Sequence, residues 1–164
     1  ELGMEQNQKG MAKILIYFIE INKDNSLKID FVEDVVKLIK PLNIINGIPA
    51  LSLEDIYIRK IYAVSGVSQS SDSAGRKNII GGRQEAKDFF DLYFLSTTFM
   101  PLSEFAASYC SQQQIENIII WHRTYNRTMI KLGLNDIVTN KTVDYVTIER
   151  HFKSEVERII MKSI

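Results

Sequence analysis

The sequence predicts an α+β fold, a small β-sheet followed by a helical lobe. Three observations predict it. Residues 12–21 (AKILIYFIEI) form a short apolar run rich in β-branched and aromatic side chains, followed by a turn cluster at 22–26 (NKDNS) and an alternating stretch at 27–32 (LKIDFV). That order is a β-hairpin signature. From Ser52 onward the apolar residues recur instead at three- and four-residue spacing, the period of helices packed on one face. Between these patterns the chain divides into an expected sheet region, residues 1–52, and an expected helical lobe, residues 53–164.

The elements follow in order. Residues 11–21 have no periodicity that separates strand from helix, and the turn and strand behind them favour strand. Residues 34–40 read as one helical turn or an edge strand stopped by Pro41, and 48–51 as a short strand. Ser52, with Glu54 and Asp55 behind it, is a helix N-cap with acids in the first turn; Ile56, Ile58, Ile61, Tyr62 and Val64 then continue a mostly buried helix to about Gly66. Residues 66–82, rich in Ser, Gly, Asn and Gln, read as a long loop. Helices are expected at 84–97, from a Ser103 cap to Cys110, from Gln112 to Leu132 with Gly133 as C-cap, and at 147–161. There are no internal repeats.

Composition excludes several classes. An apolar share of 45% and a charged share of 24% are those of a globular protein, and the formal net charge of zero gives no overall attraction to nucleic acid or anionic membrane. No run approaches the roughly 18 to 20 apolar residues that span a bilayer, and no signal peptide is present. The single cysteine, Cys110, excludes an internal disulfide framework and suits the cytoplasm. His122 and His151 have no companion ligands at zinc spacing, and the stretch SQSSDSAG lacks the G-K-[ST] of a P-loop. Trp121, Tyr125 and the arginines around them read either as a packed aromatic pair beside solvated cations or as an RNA-facing strip.

The charges concentrate in the segment GRQEAKDFFDLYFL, residues 82–95. On a helix, Arg83, Lys87 and Asp91 form one i, i+4 row and Asp88 with Asp91 an i, i+3 pair, while Phe89, Leu92, Phe94 and Leu95 lie on the other side. Spacing alone is met by an exposed salt-bridged strip, worth about a few tenths of a kcal/mol per pair. The order Lys87 then Asp91 is the weaker one against the helix dipole, so stability is a poor reason for it.

The segment Arg83-Gln-Glu-Ala-Lys87-Asp88-Phe-Phe-Asp91 resembles the R-x-x-x-R-D-x-x-D helix motif of the AbiEii/AbiGii family of nucleotidyltransferase toxins, with Lys87 where arginine is commoner. Lys60-Ile-Tyr-Ala63 resembles the family's K-x-x-A motif, and Leu27-Lys-Ile-Asp30-Phe-Val the strand that brings an acid towards its active site. The resemblance implies that the sheet is part of a nucleotidyltransferase-like core. It implies Lys60, Arg83 and Lys87 as cations for a substrate triphosphate, Asp88 and Asp91 as carboxylates that orient them or act on the acceptor, and Asp30 as metal ligand or base. It further implies Mg²⁺, an NTP, an RNA acceptor such as the tRNA 3′ end, and a cognate antitoxin.

The family also uses a G-S or G-G turn followed by a D-x-D pair for nucleotide and metals. This chain has no D-x-D, its Gly81-Gly82 lies downstream of Lys60, and it opens at Glu1 rather than methionine. The expectation is therefore the C-terminal portion of a longer enzyme, inactive by itself. The rival expectation is a non-catalytic helical module whose charged strip contacts protein or RNA.

Overall fold

The computed structural model describes residues 14–23, 25–34, 36–71, 77–139 and 144–162. The fold is α+β, with six helices and three two-stranded antiparallel hairpins among the described residues. The chain divides into two compact units, one ending at Leu38 and the other starting at Ile39.

The first unit carries the predicted hairpin. Strand β1 (Ile14–Asn22) pairs with β2 (Asn25–Val32) in a register that sets Ile16 opposite Asp30 and Tyr17 opposite Ile29. The predicted start at Ala12 lies outside the described residues. Tyr17 and Phe31 meet edge to face at 5.7 Å, but Phe18, Ile21, Phe31 and Val32 remain exposed.

The second unit opens with residues 39–42, which form neither helix nor strand. A tight hairpin follows, β3 (Asn43–Ile45) on β4 (Ile48–Ala50), turned by Asn46 and Gly47 at φ 51° and 79°. That Asn-Gly pair is the type I′ preference, since both positions need positive φ. Helix α1 (Leu53–Ser65) starts where the Ser52 side chain accepts the Asp55 N–H, as predicted. The expected loop at 66–82 is instead a hairpin, β5 (Val67–Ser71) on β6 (Lys77–Gly81). Polar Ser and Gln residues hid these strands, because strand pairing there does not follow apolar alternation.

Helices α2 (Ala86–Thr98), α3 (Leu102–Tyr109), α4 (Gln112–Thr124), α5 (Arg127–Leu134) and α6 (Tyr145–Lys162) complete the unit. The single helix expected over 112–132 is two. Tyr125 is extended, and the Asn126 side chain starts α5 by accepting the Met129 N–H, while the Asn126 N–H donates to Gln84 Oε1 at 2.8 Å. Gly133 is no C-cap either: it sits inside α5, where a Cβ would come 2.8 Å from that of Ala86. Ser103 does not cap α3; Pro101 holds that position, and the Ser103 N–H is taken by the buried carboxylate of Glu155 at 2.8 Å.

The core of this unit is aromatic. Phe89 meets Phe152, Tyr125, Trp121 and Tyr145 at centroid distances of 4.9 to 6.2 Å. Trp121 and Tyr125 are buried and Arg123 is exposed, so these aromatics belong to the packing. Each ring buries roughly 150 to 250 Å². This wall fixes the faces of α1 and α2 that point away from it.

Candidate functional site

Helix α1 buries Tyr57, Ile58, Ile61 and Val64, which leaves Lys60 on the flank, partly exposed. Helix α2 buries Phe89, Leu92 and Leu95, and Asp88 lies in its first turn, where the N-terminal dipole favours a carboxylate. These two flanks meet. Lys60 Nζ donates to Asp88 Oδ1 at 2.9 Å and lies 2.6 Å from Asp91 Oδ2. Arg83 reaches the same carboxylate side-on, Nε to Oδ2 at 2.5 Å and Nη2 to Oδ1 at 2.8 Å.

Backbone geometry delivers Arg83 to that place. The N–H groups of Gly82 and Arg83 donate to the carbonyls of Val64 and Ala63 at 3.0 and 2.9 Å, closing the last turn of α1. The approach requires glycine, since a Cβ at Gly82 would fall 2.7 Å from the Ala63 oxygen and 2.8 Å from the Gly66 nitrogen. The K-x-x-A stretch and the arginine of the second motif are thus joined through the Ala63 carbonyl. The Gly81-Gly82 pair, out of order for a nucleotide-binding turn, gives this joint its glycine.

Asp88 is 1% exposed and accepts three hydrogen bonds from two cations. Burial works to raise its pKa, but the bonds from Arg83 and Lys60 outweigh it and hold the carboxyl below its ordinary value. For Lys60, burial works downward, and the bonds to Asp91 and Asp88 reverse it, so the ammonium is held above the usual lysine value. Arg83 is likewise held up, first by its bond to Asp88. All three stay charged at neutral pH. An ammonium has three donors and a guanidinium five, so one N–H of Lys60 and the outer edge of Arg83, whose side chain is half exposed, stay available to an outside oxyanion.

Lys60, Arg83, Asp88 and Asp91 are therefore brought together. Lys87 is exposed on α2 and makes no ion pair among the described residues. Asp30 lies in the first unit, on β2, with Lys28 Nζ at 3.0 Å. The cluster does not fit Mg²⁺: both oxygens of Asp88 are engaged by cations, Asp91 shares one of them, and no group of three or more His, Cys, Asp or Glu side chains among the described residues is placed to hold a metal.

One network escaped the sequence. Fully buried Asp55 accepts from the Ile39 and Lys40 N–H groups at 2.8 and 3.1 Å, from Ser52 Oγ at 2.6 Å and from Arg59 at 3.2 Å. It anchors residues 39–40 to the helix that carries Lys60. Its signal was present as Ser52 and Asp55 at capping spacing, but the backbone donors 15 and 16 residues away carry no residue-type mark. Cys110 is partly buried, and burial pushes its thiol up to about 11, so it is no nucleophile at neutral pH.

Comparisons with known proteins bear on this geometry. No curated protein matches the chain. A search of solved structures finds two crystal structures similar to the chain. JHP933 from Helicobacter pylori is 14% identical, with 99% of this chain and 66% of that one covered and a TM-score of 0.48. A "putative nucleotidyltransferase" from H. pylori is 13% identical, with 99% and 68% covered and a TM-score of 0.51. The chain spans about two thirds of the length of these structures, and at such identity the second supports a shared fold alone. A family profile described as "Nucleotidyl transferase AbiEii toxin, Type IV TA system" matches residues 11–160, which take in all three predicted motifs. The chain belongs to the AbiEii nucleotidyltransferase toxin family.

Proposed function

We propose that this chain supplies the phosphate-holding half of a toxin that transfers a nucleotide from an NTP to an RNA acceptor, such as the tRNA 3′ end. The observation that carries the reading is the buried Asp88, which holds Lys60 and the half-exposed Arg83 side by side on one carboxylate. In the reaction the acceptor hydroxyl gives up its proton to a base, for which Asp30 is the candidate; its oxygen forms a bond to the α-phosphorus, the bond from that phosphorus to the bridging oxygen breaks, and pyrophosphate leaves. Lys60 and Arg83 take the negative charge of the leaving phosphates, and Lys87 extends the cationic strip along α2. Preorganised cations in a partly desolvated site act most where charge develops.

Asp88 acts through the two cations as a positioning residue. Asp91, a third exposed, orients Lys60 and faces the acceptor side. Asp30 is the acid on the strand, as metal ligand or base. Mg²⁺, when bound, would supply positive charge to the phosphates, with Asp30 the residue of this chain that would hold it; no D-x-D pair occurs in these 164 residues. The toxin would act in the cytoplasm and be held in check by a cognate antitoxin.

The test is incorporation of labelled NTP into a tRNA pool with Mg²⁺. The full-length protein should label RNA, and the 164-residue chain alone should not. Labelling by the chain alone removes the division into two parts. No labelling by a folded full-length protein sinks the enzymatic reading and leaves a helical binding module.

A further inference from the structure

Helix α5 lies tight along the start of α2, at Gly133 against Ala86 and through Gln84 to the Asn126 N–H. Beside this contact is a cavity of about 510 Å³, bounded among others by Phe90, Lys131, Leu134, Asn135, Asp144 and Tyr145. It is separate from the cations on Asp88 but shares α2 with them: Phe90 adjoins Asp91, and Lys87 is one turn earlier on the same face as Phe90. We propose that this face seats the single-stranded end of the RNA acceptor, with a nucleobase in the cavity and its phosphates on Lys131 and Lys87. The inference rests on the reading that the site transfers nucleotides to RNA.

Several features fit a base. The volume lies within the roughly 300 to 1,000 Å³ of small-ligand sites. Phe90, Leu134 and Tyr145 supply apolar walls, and Tyr145 is rigidly held, its ring parallel to Phe89 and its hydroxyl 3.1 Å from that of Tyr125. Asn135 brings an amide, a donor and an acceptor together, which suits the edge of a base. Asp144 is occupied in capping α6, accepting from the Thr147 N–H and Oγ1 at 2.8 and 3.0 Å. Charge completes the case. Arg127 is paired with Glu149 and Arg83 with Asp88, whereas Lys131 and Lys87 make no ion pair among the described residues. Apolar walls, an amide and two lysines that make no ion pair among the described residues match single-stranded RNA, where bases stack and phosphates bind cations.

The experiment titrates a fluorescent RNA oligonucleotide copying a tRNA 3′ end against the 164-residue chain by anisotropy, over a series of salt concentrations. Lys131→Ala and Lys87→Ala should each weaken binding about fivefold and make the salt slope shallower by about 0.7. Phe90→Ala should weaken it about fivefold or more through lost stacking. Lys153→Ala, an exposed lysine on α6, should change nothing. In parallel, NTP titrations should be the same for Lys131→Ala, Phe90→Ala and Lys153→Ala. Unchanged RNA affinity in the first three variants overturns the proposal, as does an unsubstituted chain that binds no RNA. Weakened NTP binding with RNA binding intact also overturns it, since the cavity would then hold the base of the donor nucleotide. The two readings fail separately. A full-length protein that transfers nucleotides with an unchanged KM for RNA in Lys131→Ala sinks only this surface. RNA binding that needs Lys131, in a protein that transfers nothing, sinks only the enzymatic reading.

Discussion

Two lysine–aspartate pairs in this molecule have nearly the same length and opposite surroundings. Lys28 and Asp30 lie 3.0 Å apart on the β1–β2 hairpin, both about half exposed, while Lys60 and Asp88 lie 2.9 Å apart with the carboxylate almost fully buried. Water screens the first pair and leaves it worth about 0 to 1 kcal/mol. The second pair is held by packing on both sides and shares its carboxylate with Arg83, so its cations are fixed by the fold itself. Distance is therefore a poor guide to which ion pair matters, and burial of the shared acid is the better one.

The difference extends to the regions around them. Phe89 sits at the centre of the aromatic core, whereas Phe18 on the hairpin is 59% exposed. Phe89→Ala should cost about 3 to 5 kcal/mol in a denaturant titration, and Phe18→Ala less than about 0.5 kcal/mol. Equal costs would break the comparison and show the hairpin to be packed. Arg83→Ala comes next, at about 1 to 3 kcal/mol, because a buried carboxylate loses two of its three hydrogen bonds. A loss below about 0.5 kcal/mol would mean that Asp88 is satisfied without it.

The pH dependence sharpens the contrast further. The folded pKa of Asp88 is lowered, so its contribution is present above the unfolded carboxylate value of about 3.9 and is lost as pH falls through the folded value. Asp88→Asn should flatten that acid limb. His151 and His122 are also held low, with burial as the main cause in each. A folded state that disfavours their protonation loses stability as pH falls below the unfolded value of about 6.5. Thermal melts from pH 8 to 3 should thus fall in two stages, and His151→Gln should shrink the first. A melt that stays level down to pH 4 would contradict the burial of both rings. The smallest effect belongs to the exposed pair: Lys28→Ala should shift stability by about 0.5 kcal/mol or less.

What the sequence made legible follows the same divide. The strip on α2 was readable because Arg83, Lys87, Asp88 and Asp91 stand at helical spacing, and the cap at Ser52 because its chemistry is local. Lys60 could be named only through a resemblance, since its bond to Asp88 joins residues 28 apart and pairings of that kind leave no periodic trace. The break at Tyr125-Asn126 was hidden because the apolar period runs on across it, while the decisive bond comes from Gln84. Strands β5 and β6 were hidden by polar composition, and the grip of Asp55 on residues 39 and 40 by the anonymity of backbone donors.

The central claim is that Lys60, fixed by Asp88 and Asp91, meets a substrate phosphate. The most direct measurement is the single-turnover rate of nucleotide transfer to RNA by the full-length protein carrying Lys60→Ala, with Lys153→Ala as the control. Loss of one charge-assisted contact made in the transition state should cost about 2 to 4 kcal/mol, a rate roughly 30 to 1,000 times lower. Asp88 keeps Arg83, so the melting temperature should fall by only a few degrees, and RNA affinity should stay at the control value. An unchanged rate, or a loss that disappears once each variant is assayed well below its own melting point, would contradict the account and return Lys60 to a structural role.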